Sequence, residues 1–288
     1  MPEVWVILAL PIKALFYASS SIAIGLVVFK HMFLSRKHSE IIGLRKLASI
    51  NAIIATALAI LFFMIQGAQL TGDASGLFDF EMLGLVAQGP QGRTFSLQIV
   101  GLGLLIVSLL FLPENSIFPL LGGVLTLISF LWVGHTNGID FFPAKPALLI
   151  HVTVFTFWIG ALWPLYRLLD YPEFITEVAV ISHKFGRLAL IMVPIMLIAG
   201  GIMATSLLSH PTQLFTSVYG ITLMVKILVV SFLMILASLN KFRFVPALLR
   251  NDTGSAKKFQ QSILAEAVSF LAILMLTAII TGAVSLPH

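Results

Sequence analysis

The chain has 288 residues, of which 59% are hydrophobic and 10% charged, with a mean hydropathy of +1.04 and a formal net charge of +5. A soluble domain carries about 25% charged residues, so this composition belongs in a bilayer and leaves no soluble domain of useful size. The lack of cysteine excludes disulfides, thiolate metal sites and iron–sulfur clusters in this chain, so any metal must be held by His, Met, carboxylate or backbone oxygen.

Eight apolar segments follow one another, at about 4–30, 47–70, 93–112, 115–134, 146–168, 186–208, 216–240 and 260–284. Each is long enough to cross about 30 Å of hydrocarbon as a helix. The predicted fold class is therefore all-α, a polytopic integral membrane protein forming one transmembrane domain over 1–288. The start, Met1 to Trp5, has neither a basic n-region nor a small-residue cleavage site, so the first segment reads as a retained helix. Pro11 and Pro194 fall inside the first and sixth segments and predict kinks there. Between the second and third lies 79–88, which mixes acidic and apolar residues and reads either as a short interfacial helix or as a loop with helical character. Pro113, Glu114 and Asn115 make a tight hairpin between the third and fourth.

The basic residues set the orientation. Lys30, Arg36, Lys37, Arg45 and Lys46 follow the first span; Arg167, Lys184 and Arg187 surround the fifth loop; Lys241, Arg243, Arg250, Lys257 and Lys258 precede the last span. If eight spans alternate, these 13 of 17 basic residues share one face. By the positive-inside rule that face is cytoplasmic and both termini are periplasmic. Charges placed this way orient the protein and give no reason to expect nucleic acid as a partner. His135, His151, His210 and His288 then lie toward the outer face, and His31, His38 and His183 at the inner one.

Polar titratable groups at membrane depth are costly and usually functional. His135 closes the fourth span, and His151 lies a turn and a half into the fifth, on one helix face with Phe155, Trp158 and Leu162. The two imidazoles form a candidate metal site; the alternative is that each only hydrogen-bonds a backbone carbonyl between helices. Met192, Met196 and Met203 share one face of the sixth span, and Met203 and Met224 are the thioethers placed to join a soft-metal site. Packing is the competing explanation for these methionines. Lys226 and Glu266 sit within the seventh and eighth spans, where mutual ion pairing, or a proton-coupling or gating role, explains two membrane-depth charges. No Walker motif, nucleophile elbow, HExxH or paired catalytic carboxylates occur, which disfavours hydrolytic and ATP-driven functions.

The succession Gly134-His135, His151, Trp158 to Leu162, Phe185 to Leu190, Gly200-Gly201, Tyr219-Gly220 with Lys226, Asn240 to Arg243, and Ala265-Glu266 resembles the copper resistance protein D family. The resemblance covers about 90–285 well and the first two spans loosely. Where that family tends to carry Gly-x-x-Trp-x-x-Arg at the start of the third span, this chain has Gly92, Phe95 and Gln98. The resemblance implies a multi-pass bacterial inner-membrane protein of copper handling, not an enzyme. The copper ion is its cargo, periplasmic copper-binding proteins are its partners, and membrane lipid surrounds it. It carries the family's histidines onto His135 and His151 and its mid-membrane pair onto Lys226 and Glu266, with Trp158 near the site. Two readings compete with copper transport: a membrane b-type cytochrome with His-ligated haem, and a scaffolding subunit in which both histidines are structural.

Overall fold

The computed structural model describes residues 2–132, 143–208, 210 and 212–282. The described residues are all-helical. In chain order they form α1 (Pro2–Phe33), α2 (Arg36–Ile41), α3 (Leu44–Thr71), α4 (Phe80–Gln88), α5 (Pro90–Phe111) and α6 (Phe118–Ser129). After these come α7 (Ala144–Leu168), α8 (Ile175–Leu207), α9 (Gln213–Thr216), α10 (Val218–Leu239), α11 (Val245–Leu249) and α12 (Ser255–Gly282). A helix satisfies its own backbone hydrogen bonds, which is why apolar sequence in lipid takes this form. Serines and threonines inside the spans return their hydroxyls to the preceding turn, as Ser20 does to the Phe16 carbonyl at 2.7 Å and Thr277 to that of Ile273 at 2.7 Å.

Among the described residues seven helices are long and apolar enough to cross a membrane, against the eight spans expected. The difference lies at the predicted span 115–134, which is a shorter apolar helix, Phe118–Trp132, ending in a 3₁₀ turn. At about 1.5 Å per residue its 15 described residues reach roughly 22 Å; the last two residues of the predicted span lie outside the described residues. The predicted sixth span also starts 11 residues early, at Ile175 and not 186, because its first turns pack inside the protein: Val178 and Ala179 are fully buried. Pro11 and Pro194 lie inside continuous helices, as does Pro164 in α7.

Segment 79–88 is a helix. Asp79 caps α4 by accepting from the backbone N–H groups of Glu81 at 2.9 Å and Met82 at 3.2 Å, while Phe78, Phe80 and Leu85 are exposed along it. That pattern fits a helix lying at a lipid surface. Asp79→Ala is expected to cost about 1 kcal/mol of local helix stability, read as faster amide exchange confined to α4. In the loop before it, the hydroxyl and backbone N–H of Ser75 hold the Asp73 carboxyl below the usual carboxylate range.

Helix α1 is the centre of the bundle, packed against α3, α6, α7 and α12, and 72% of its most apolar stretch is buried against 11% for α8 and for the α10 region. The latter two form the perimeter. Contact between α1 and α7 is backbone to backbone at Gly25 and Gly160: a Cβ on either would overlap the other's main chain.

Side-chain ties identify one end of the bundle. There Lys30 pairs with Glu114 at 3.4 Å, buried His38 joins Glu177 at 2.6 Å, Arg45 donates to the Leu109 carbonyl and to that of Leu112 at 2.9 Å, and Gln260 reaches Asp170 at 2.7 Å. Most of the chain's basic residues lie at or near this end, called the basic end below. The long helices alternate toward and away from it.

Candidate functional site

His151 stands on α7 toward the end opposite the basic one and is half-buried. Its Nδ1 lies 3.0 Å from the Met196 carbonyl on α8. A carbonyl only accepts, so Nδ1 carries the proton and Nε2 presents a lone pair. Gly200, one turn beyond Met196, leaves room for the ring: a Cβ there would stand 3.3 Å from Nδ1 and Cε1. An imidazole oriented by a carbonyl on one nitrogen with the other free is the usual arrangement of a metal-ligating histidine. The field of Lys226, on α10, reaches this ring.

Around His151 the other predicted ligands are placed unevenly. Met203 follows Met196 by two turns on α8 and Met224 lies on α10; both are half-buried. His135 lies outside the described residues, and so does its approach to His151. Among the described residues no three His, Asp or Glu side chains cluster in a way that could hold a metal. Phe155, Trp158 and Leu162 share the predicted face with His151 and are buried, with both aromatic rings edge-on to Phe270 of α12.

Glu266 is not paired with Lys226. It is 4% exposed on α12, its Oε2 accepts from Trp158 Nε1 at 3.2 Å and its Oε1 from Asn240 Nδ2 at 2.7 Å. Asn240 opens a π-helical turn, Asn240–Phe244, at the basic end of α10; π turns often mark functional positions. Lys226 lies 14 residues before Asn240, so the antiparallel register of α10 and α12 places it about 21 Å along the helix from the level of Glu266. Among the described residues Lys226 joins no ion pair.

Trp158, Asn240 and Glu266 line a cavity of about 300 Å³ between α7, α8, α10 and α12. Ser182 of α8 also lines it, and the Ser182 hydroxyl and Asn240 Oδ1 are buried without a hydrogen-bond partner. Leu190, Leu197 and Phe242 are exposed on the perimeter, where the cavity opens. Sequence reasoning placed Trp158 beside the histidines and missed both Ser182 and the role of Asn240. A polar amide directly after an apolar run was the signal available for the latter.

At the start of α5, where a Gly-x-x-Trp-x-x-Arg pattern is missing, Phe95 stacks on Phe63 of α3 at 4.3 Å, while Gly92 and Gln98 are buried. The aromatic position is thus used for packing between α3 and α5.

Two family models match this chain. Residues 1–139 match the copper resistance protein D-like N-terminal domain, and residues 179–280 match copper resistance protein D. No curated protein and no solved structure matches.

Proposed function

Because the chain belongs to the copper resistance protein D family, we propose that it carries or delivers copper at the bacterial inner membrane, taking the ion from the periplasm. In this reading the chain is one transmembrane domain of eight spans, with the apolar segment 115–134 as the fourth. The basic end faces the cytoplasm, in keeping with the positive-inside rule, and both termini are periplasmic. His151 then lies toward the periplasmic face, where a periplasmic copper-binding protein hands over its ion. The process is ligand exchange, with no bond of a substrate made or broken, so the protein is not an enzyme.

The observation that carries this reading is the Nδ1 contact of His151 with the Met196 carbonyl, which leaves Nε2 with a lone pair to offer a metal and without a hydrogen-bond partner among the described residues. His135 is its proposed partner, with Met203 and Met224 as the soft ligands that suit Cu(I). Both thioethers lie on helices of the perimeter, α8 and α10.

His151→Ala is expected to lower cellular copper accumulation at unchanged protein level. Loss of even a supporting partner of a metal ligand costs about 10–100-fold in affinity, so copper titration of the purified variant should show at least that weakening. Unchanged accumulation and affinity would remove His151 from the site. A Soret band in the purified protein would replace copper with haem as the His-bound species.

A further inference from the structure

We propose that the Glu266 cavity is a second ion site, separate from the histidines, that takes a hard monovalent cation, either Na⁺ or a proton. Glu266 lies 11 residues into α12, about 16 Å from its start, and therefore within the hydrocarbon span. Both of its oxygens accept hydrogen bonds from neutral donors, Trp158 and Asn240, and no ion pair among the described residues balances it. With both oxygens engaged as acceptors, the contacts are those of an ionised carboxyl, which has no proton to donate. A carboxylate held in lipid without a counter-charge is costly and calls for a cation.

What surrounds that charge selects the kind of cation. Asn240 Oδ1 and Ser182 Oγ are unpartnered, and the two residues are 8% and 4% exposed. Together with the carboxylate they supply three kinds of oxygen from three helices. Pro194 has no N–H, so the Leu190 carbonyl lacks its helical partner, and both residues line the same cavity. Oxygen donors suit hard cations. Met234 is the one thioether among the described lining residues, which include no histidine; these donors do not suit a soft metal.

Charge and space fit the same occupant. Besides Glu266, Lys241 is the one charged side chain among the described residues that line the cavity, and its ammonium donates to the His183 carbonyl at 3.5 Å. The α7 and α8 walls contribute no charge. At about 30 Å³ per water, a volume near 300 Å³ admits an ion with part of its hydration shell.

The test uses the full chain, purified in lipid nanodiscs without copper. Unfolding midpoints are measured in NaCl against equal choline chloride across the neutral pH range, and the carboxyl infrared band is followed in the same samples. A ligand that binds only the folded state raises the midpoint by linkage. For Na⁺, the midpoint rises saturably with sodium, the rise fades on acidification, and Ser182→Ala weakens it. For a proton, sodium has no effect and the protonated carboxyl band grows on acidification. In either case the response is absent in Glu266→Gln. The proposal is overturned by a midpoint insensitive to sodium together with a carboxyl band that does not titrate, or by an equal response in Glu266→Gln. Should that variant fail to fold, the wild-type titrations with Ser182→Ala decide the matter. Because no copper is present, loss of copper uptake in His151→Ala leaves this result unaffected.

Discussion

Replacing Gly160 with leucine separates α1 from α7 and leaves little folded protein in the membrane. At this crossing the Gly25 and Gly160 main chains meet with no side chain between them, and a Cβ on Gly160 would overlap the backbone of Gly25. Small residues allow such approach in membranes, where dispersion contacts between closely packed helices drive association. Overfilling a packed interior costs about 1–3 kcal/mol where side chains can give way. Here the obstacle is backbone, and α1 is the helix on which α3, α7 and α12 all rest. Gly160→Ala and Gly25→Ala should each destabilise by about that range, and leucine by more. Gly103 and Gly201 are the controls, since a Cβ at either meets nothing within 4 Å. Alanine at those positions should be neutral or stabilising by up to about 1 kcal/mol, the usual helical preference over glycine. Unfolding of detergent-solubilised variants measures the contrast, and equal losses at all four positions would refute the close crossing.

Asn240→Leu is expected to destabilise by about 1.5–3 kcal/mol, the worth of a hydrogen bond to a charged group. It removes the 2.7 Å contact to Glu266 and leaves that carboxylate with Trp158 alone. The double variant Asn240→Leu with Glu266→Met should recover much of the loss, because replacing a buried charge and its partner together removes the desolvation cost that breaking the contact exposes. A double-mutant cycle isolates the coupling. Additive losses would mean that the two side chains do not act on each other.

The helices were legible in the sequence because apolar length alone carries them. Seven of the eight predicted segments overlap helices of membrane-crossing length, and of the two readings left open for 79–88 the helix is the one found, capped by Asp79. Two kinds of error have physical causes. Helix ends that pack inside the protein interrupt their apolar residues with polar ones, so the first turns of α8, where Glu177 is tied to His38 and where Ser182, His183 and Lys184 follow, lay outside the predicted span. Pairing of Lys226 with Glu266 rested on depth counted separately along two helices, and depth says nothing about register. Register follows from side-chain packing across α10 and α12, where Asn240 and not Lys226 is level with the carboxylate. His151 was legible as a polar group at membrane depth, but which of its nitrogens carries the proton depends on where the Met196 carbonyl falls, a tertiary fact.

Lys13 of α1 is 6% exposed and donates to the carbonyl of Thr281 at the far end of α12, 268 positions later in the chain, at 3.0 Å. A ribosome adding about 5–20 residues per second needs roughly 13–54 s to cover that interval. Throughout it the central helix waits in the membrane with an ammonium group whose partner has not been made. The bundle therefore closes only when its last helix arrives, and until then the nascent protein depends on whatever shelters that cation: water, lipid headgroups or the insertion machinery.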